Sequence, residues 1–92
     1  AATSLYNGTL TSGSITFNYG NYNFYVIIGR PSSTASRASL VVPKIMLTTS
    51  AVSFQIADES NYKSFNLSYS GSLVTLAIQG GNGQINRVFG IN

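Results

Sequence analysis

The sequence contains no cysteine, no histidine and no tryptophan. Without cysteine the chain forms no disulfide, and without cysteine or histidine it lacks the usual side chains of a protein zinc site. The same absences remove the thiol nucleophile and the histidine base of a Ser-His-Asp triad. We therefore expect no metal site, no cofactor and no enzymatic activity.

Charged side chains are also scarce, at 8% of residues, against about 25% in an average globular domain. The only carboxylates, Asp58 and Glu59, are adjacent in the sequence. Glycoside hydrolysis needs two carboxyl groups on opposite sides of the scissile bond, about 5–10 Å apart, which neighbours in one loop achieve only awkwardly. A surface of Ser, Thr, Asn and Gly is typical of an extracellular or virion-surface protein.

The net charge of +3 comes from five well-separated cations without a basic run. Nucleic-acid binding requires clustered Lys and Arg, so we do not expect it. No apolar run approaches the roughly 20 residues of a membrane-spanning helix, and we expect the protein not to be membrane-embedded.

Hydrophobic residues recur with period two, the pattern of half-buried strands. The clearest segments are 14–19, 51–57, 62–69, 73–79 and 84–91, and weaker ones are 4–10 and 39–48. In segment 84–91 the alternation places Ile85, Phe89 and Ile91 on one face, and Arg87 interrupts that face. With Gly- and Ser-rich turns between segments, the pattern predicts a single all-β domain over residues 1–92. About eight short, antiparallel strands without a helix of note predict a β-sandwich or a barrel, and we favour the β-sandwich.

Segment 22–29 is apolar on both faces. Our interpretation assigns Tyr22, Phe24, Val26 and Ile28 to the core of the sandwich. Tyr25 and Ile27 then point outwards and need cover from outside the core. A long loop or a symmetric copy of the chain would supply it, and we predict that Tyr25 and Ile27 form a subunit interface.

Two loops carry the candidate ligand-binding residues. Segment 29–39 has two cations and no large apolar residue, and Arg30 and Arg37 could hold a phosphate or an acidic sugar. Solvated surface charge on a flexible connection is the alternative for these two residues.

The second loop, "DESNYK", contributes four further predicted ligand-binding residues: Asp58, Glu59, Asn61 and Tyr62. Tyr62 combines an apolar ring with a polar tip, as sugar-binding aromatics do. The alternative is a polar hairpin tip in which Tyr62 packs locally.

Two blocks of the sequence resemble bacteriophage tail-fibre and baseplate receptor-binding proteins. "LYNGTLTSGSITFNYGNYNFYVIIG" is similar to their layout of a Gly- or Ser-rich turn, an "ITF"-like strand, and "NY" before an aliphatic strand. "GQINRVFGIN" is similar to their "I-x-x-I-Y-G-I" ending. The matched positions look architectural, so no ligand contact is carried over from the family.

The resemblance implies the C-terminal tip of a longer chain, a jelly-roll-like head that forms a homotrimer at the phage tail tip. Such a head binds a saccharide or a protein on the host cell surface. Two alternatives remain: a structural trimerisation module of a tail fibre, and a carbohydrate-binding adhesin module of a secreted protein.

Overall fold

A computed structural model describes all 92 residues and contains eight β-strands. The strands are β1 (Ala2–Leu10), β2 (Ser14–Asn18), β3 (Phe24–Arg30), β4 (Ala38–Pro43), β5 (Val52–Ala57), β6 (Tyr62–Ser70), β7 (Leu73–Gly80) and β8 (Gln84–Ile91). A single turn of 3₁₀ helix at Lys44–Met46 follows β4. The fold has no helix with the length and hydrophobicity that a membrane-spanning helix requires.

The strands form two four-stranded sheets with the orders β1-β8-β3-β4 and β2-β7-β6-β5. Every neighbouring pair is antiparallel. The predicted β-sandwich is therefore confirmed. The pairing of β1 with β8 and of β2 with β7 is jelly-roll-like, whereas β3–β4, β5–β6 and β6–β7 are hairpins between consecutive strands.

The core lies between the two sheets and consists of twelve buried apolar side chains: Phe17, Tyr25, Ile27, Val42, Leu47, Ile56, Phe65, Leu67, Val74, Leu76, Ile85 and Val88. In β2, β5, β6 and β7 the buried apolar side chains lie on the apolar face that the period-two pattern predicted, and Lys63 on β6 is buried on that face as well. Leu67 on β6 pairs with Leu76 on β7, and neither these two side chains nor Phe65 and Val74 beside them are exposed to solvent.

The two faces of β3 are the reverse of our prediction. Tyr25 and Ile27 are 0% exposed and belong to the core, while Phe24, Val26 and Ile28 are half-buried on the outer face. The prediction that Tyr25 and Ile27 form a subunit interface is wrong, because their own chain covers both side chains completely. Both faces of this strand are apolar, so composition alone did not determine which one turns inwards.

Strand β8 contains a β-bulge that changes which side chains face the core. Arg87 pairs with Ile28, but Ile85 pairs with the next residue, Gly29, so Asn86 is an extra residue without a partner on β3. Ile85 and Val88 are therefore both buried although they are three positions apart. The expected alternation through Phe89 and Ile91 is wrong for this reason.

The loop between β3 and β4 is shorter than the predicted segment 29–39. Residues at both ends of that segment belong to the strands, which leaves residues 31–37 as the connection. The chain turns where the Ala35 N–H donates to the Ser32 carbonyl at 3.3 Å, and Pro31 is buried. The connection follows directly after Arg30 and ends at Arg37, so both arginines lie at the same end of the sheet.

Candidate functional site

An open cavity of about 520 Å³ lies on the outer face of the β1-β8-β3-β4 sheet, at the end where β3 finishes and β8 starts. Its lining consists of three arginines, three amide side chains and three other residues: Arg30, Arg37, Arg87, Asn7, Gln84, Asn86, Gly8, Thr9 and Ile28. Ile28 is the single hydrophobic side chain among them. The cavity is therefore a polar, cationic site.

The register of the paired strands determines where most of the side chains that line the cavity lie. Asn7, Arg87 and Ile28 occupy facing positions on three neighbouring strands, so their side chains emerge from one face of the sheet. Gln84 faces Arg30 one row further towards the end of the sheet. Because a register shift would move these side chains to the other face, the sheet itself holds the site in place.

Arg87 reaches the cavity because of the β-bulge. Without the extra residue Asn86, the alternation that buries Ile85 would also turn Arg87 inwards. We did not predict Arg87 as a site residue. Its signal was nevertheless present in the sequence, as the one cation that interrupts an apolar face.

The cavity concentrates the positive charge of the chain. It holds three of the five cationic residues, and no carboxylate lines it. The other two cations bind backbone carbonyls elsewhere: Lys44 Nζ donates to Gly20, and Lys63 Nζ donates to Thr11 at 2.8 Å and Gly81 at 2.6 Å. Burial lowers the pKa of both lysines.

Two of the guanidinium groups are positioned by local contacts. Arg30 Nη1 donates to the Ser33 carbonyl at 3.0 Å. Arg87 Nη2 lies 3.4 Å from the Ser4 hydroxyl, and the guanidinium covers the Phe89 ring at 4.5 Å. The Nε atoms of Arg30 and Arg87 are buried and have no hydrogen-bond partner. Each of these arginines therefore retains an N–H donor that the chain does not use.

Asn86 contributes the complementary feature, a free acceptor. Its amide nitrogen donates to the Gly8 carbonyl at 3.2 Å and to Gln84 Oε1 at 2.8 Å. Its carbonyl oxygen Oδ1 is buried without a partner. An unpaired buried polar atom is costly, so these three atoms are a source of instability in the chain by itself.

The structure brings together two of the six predicted ligand-binding residues, Arg30 and Arg37, and adds Arg87. The other four lie around the β5–β6 turn and do not line the cavity. Ligand contact by that turn stays a prediction.

The β5–β6 turn uses some of those residues to stabilise itself. Asp58 Oδ1 accepts the N–H groups of Ser60 at 3.0 Å and Asn61 at 2.8 Å, and these hydrogen bonds lower the pKa of the carboxyl group. Asn61 Oδ1 accepts the Asn82 amide at 2.6 Å, which ties this turn to the β7–β8 turn. Tyr62 is 44% exposed. The contacts of Asp58 and Asn61 are those of a hairpin tip.

The chain matches no known protein-family model, no curated protein and no solved structure. The structure also contains no cluster of acidic, histidine or cysteine side chains able to hold a metal ion. The guanidinium groups of the cavity can bind an oxyanion through charge-assisted hydrogen bonds.

Proposed function

We propose that the chain is a receptor-binding domain that attaches to a cell surface by holding the acidic group of a surface glycan in the arginine cavity. The observation that carries the proposal is the presence of three arginines around one cavity without a carboxylate. The chain has only two carboxylates, and neither lies in the cavity to pair with these arginines.

The chemistry of the lining supports binding rather than catalysis. A guanidinium group presents parallel N–H donors that match the oxygens of a carboxylate, sulfate or phosphate. The amide side chains of Asn7, Gln84 and Asn86 add neutral hydrogen-bonding groups of the kind that orient sugar hydroxyls. None of the lining side chains is a usual general acid or base at neutral pH.

The biological setting that we propose is the tip of a phage tail fibre, where the domain binds a host glycan. The resemblance in the sequence supports this setting. An adhesin module of a secreted protein would use the same cavity, and is the second candidate for that reason.

We also propose a homotrimer, with the contact on the face opposite to Tyr25 and Ile27. Phe24, Val26, Val41, Phe89 and Ile91 form an outer apolar patch next to the cavity, because they occupy facing positions on β8, β3 and β4. Val41 in this patch is 57% exposed. An apolar patch on an outer sheet face is typical of an interaction surface.

Light scattering after gel filtration tests the assembly. We expect a mass of three chains for the protein and a single-chain mass for Val41→Lys. Leu73→Lys is the control, because Leu73 is similarly exposed, at 49%, but lies on the other sheet. A single-chain mass for the unchanged protein would contradict the trimer and favour the adhesin module.

Calorimetric titration with acidic and neutral oligosaccharides tests glycan binding. We expect acidic glycans to bind, and Arg37→Gln and Arg87→Gln each to weaken binding at least about tenfold, as loss of a charge-assisted contact does. Gln55→Glu is the matched control, because it makes the same change in net charge at an exposed position on β5. No binding of acidic glycans, or equal weakening by Gln55→Glu, would overturn the proposal.

A further inference from the structure

We propose that Asn7 is a site of spontaneous deamidation, and that the carboxylate formed there closes the arginine cavity to anions. The reaction at Asn7 does not depend on the proposed function, whereas its effect on ligand binding rests on that function. Three observations carry the proposal: the Asn-Gly sequence, the interruption of strand pairing at Gly8, and the arginines that line the same cavity.

The chain contains two Asn-Gly pairs, Asn7-Gly8 and Asn82-Gly83. Asparagine is most reactive before glycine, because the next backbone nitrogen has to approach the side-chain amide carbon and glycine has no Cβ atom to obstruct it. Every other asparagine precedes a larger residue or is the last residue of the sequence. The two Asn-Gly pairs are therefore the candidates for this reaction.

The reaction needs only water. The Gly8 backbone nitrogen gives its proton to solvent and attacks Cγ of Asn7, which forms a new C–N bond. The bond from Cγ to Nδ2 breaks, Nδ2 takes a proton from solvent and leaves as ammonia, and a cyclic imide remains. Water then opens the imide at either of its carbonyl groups. The product is an aspartyl or isoaspartyl carboxyl group at position 7, which is ionised at neutral pH.

The first pair lies where the strand pairing is interrupted. Asn7 pairs with Arg87, but the next paired residue of β1 is Leu10, so Gly8 and Thr9 have no partner on β8. β1 is also an edge strand, without a neighbouring strand on its other side. Asn7 and Gly8 are both exposed. The backbone at this pair is therefore less constrained than in a regular, paired strand.

Hydrogen bonds restrain the second pair. The nitrogen that would attack, the Gly83 N–H, donates to the Tyr62 carbonyl at 2.9 Å, and Gly83 is buried. The Asn82 amide donates to Asn61 Oδ1 at 2.6 Å. Deamidation at Asn82 has to break both hydrogen bonds first, so the fold protects this pair.

The two pairs also have surroundings of opposite charge. Attack on the amide carbon builds negative charge, which nearby cations stabilise and nearby anions oppose. Asn7 and Gly8 line the cavity together with its three arginines. Asn82 is hydrogen-bonded instead to the β5–β6 turn, which contains both carboxylates of the chain. The charge distribution thus favours the reaction at Asn7 over the reaction at Asn82.

The product changes the cavity. Asn7 and Arg87 occupy facing positions, where Cβ atoms lie about 5 Å apart, so a carboxylate at position 7 is within reach of the Arg87 guanidinium group. No carboxylate lines the cavity before the reaction. A carboxylate of the chain itself competes with the acidic group of a ligand for the same donors. The affinity for an acidic glycan therefore declines as the protein ages.

Mass spectrometry of proteolytic peptides tests the reaction. The full chain is incubated at mildly alkaline pH, folded in one sample and unfolded in concentrated urea in another, and both Asn-Gly peptides are followed over time. In the folded chain we expect position 7 to react at least about tenfold faster than position 82, because Asn82 has two hydrogen bonds to break. In urea the two rates should approach each other. No reaction at Asn7, an equal or faster reaction at Asn82, or a ratio of rates that urea leaves unchanged would overturn the proposal.

A charge variant tests whether the cavity promotes the reaction. We expect Arg87→Gln to slow deamidation at position 7 at least about twofold, since it removes a nearby cation, and to leave position 82 unaffected. Gln55→Glu is the matched control, because it makes the same change in net charge on β5. Equal slowing by both variants would show that the arginines of the cavity do not act on Asn7.

Calorimetric titration of Asn7→Asp with the acidic oligosaccharides tests closure of the cavity. We expect binding at least about tenfold weaker than that of the unchanged protein. Asn66→Asp, the same substitution on β6 of the other sheet, is the control. Unchanged affinity of Asn7→Asp, or an equal loss in Asn66→Asp, would overturn the closure. If no acidic oligosaccharide binds the unchanged protein, the proposed function and the closure both fail, and the peptide masses still decide whether Asn7 reacts.

Discussion

The guanidinium carbon of Arg87 lies 4.5 Å from the centre of the Phe89 ring, two residues further along β8. Both side chains emerge on the outer face of the sheet because the β-bulge at Asn86 reverses the alternation of the strand. The ring therefore serves as a platform that keeps the flexible arginine at the edge of the cavity. At an exposed site such a cation–π contact contributes about 0.5–1 kcal/mol.

We predict that Phe89→Leu weakens binding of an acidic ligand about two- to fivefold, in line with a loss of 0.5–1 kcal/mol. Leucine preserves an apolar side chain at this half-buried position, so the urea midpoint should change little. Ile91→Leu, at the next outward position of β8, is the control and should leave affinity unchanged. Equal affinities for Phe89→Leu and the unchanged protein would show that the ring does not position Arg87.

The sequence predicted the fold wherever one face of a strand was clearly polar. On β6, for example, Ser64, Asn66 and Ser68 alternate with buried Phe65 and Leu67, and the structure follows that pattern. The prediction failed where this contrast is missing or interrupted. On β3 both faces are apolar. On β8 the extra residue Asn86 shifts the inward–outward alternation by one position, and the local hydrophobicity pattern does not reveal this shift.

The sequence predicted only part of the candidate site, because some of its residues come together only through strand pairing. Arg30 and Arg37 flank one loop, so their proximity follows from the sequence itself. Arg87 joins them through long-range strand pairing and the bulge, and Asn7 comes from the opposite end of the chain. Contacts of this kind depend on the pairing register of strands that are far apart in the sequence. The local sequence pattern does not reveal that register.

A pair of alanine variants tests which face of β3 is buried. Ile27→Ala should lower the free energy of unfolding by about 2–5 kcal/mol, because Ile27 is fully buried and its loss leaves a cavity. Val26→Ala, at the adjacent half-buried outer position, should cost about 1 kcal/mol or less. Urea unfolding at low protein concentration measures both values. The opposite order would restore the original assignment of Tyr25 and Ile27 to the outer face.

The pH dependence of stability should report on Tyr25. Burial, followed by the nearby Tyr19 and Tyr22, raises the pKa of Tyr25 from 10.0 to about 12. Between these two values the unfolded chain has released the proton while the folded chain still holds it. The folded state thus binds more protons, and the free energy of unfolding contributed by Tyr25 decreases as the pH rises from 10 to 12.

Tyr25→Phe should remove this dependence. At neutral pH the variant loses the hydrogen bond from the Tyr25 hydroxyl to the Tyr19 carbonyl, 2.5 Å long, at a cost of about 1 kcal/mol. Urea unfolding at pH 7, 9, 10 and 11 measures the difference in free energy of unfolding between the unchanged protein and Tyr25→Phe. We expect this difference to be constant up to pH 9 and to shrink above pH 10. Tyr62→Phe, at a 44% exposed position, is the control. Parallel curves for Tyr25→Phe and the unchanged protein would contradict the assignment.

Gly13 and Gly81 both have a positive φ. Comparing alanine variants at these two positions distinguishes the cost of backbone strain from the cost of steric overlap. Gly81 has φ 91° and Gly13 has φ 77°, and L-residues adopt such angles at a cost of about 1–2 kcal/mol. A Cβ atom at Gly13 would meet open space, whereas one at Gly81 would lie 2.2 Å from the Tyr62 carbonyl oxygen. The Gly81 carbonyl also accepts a hydrogen bond from the Lys63 ammonium group, and Lys63 is only 3% exposed.

We therefore expect Gly81→Ala to lower the free energy of unfolding clearly more than Gly13→Ala. Alanine at either position pays the cost of the strained φ, but at Gly81 the backbone must also move away from Tyr62. That movement loosens the hydrogen bond that compensates the buried charge of Lys63, and an uncompensated buried charge is strongly destabilising. Urea unfolding of the two variants side by side measures the difference. If both variants lose the same free energy of unfolding, glycine is required at position 81 for its φ alone, and the hydrogen bond from Lys63 re-forms without a loss of stability.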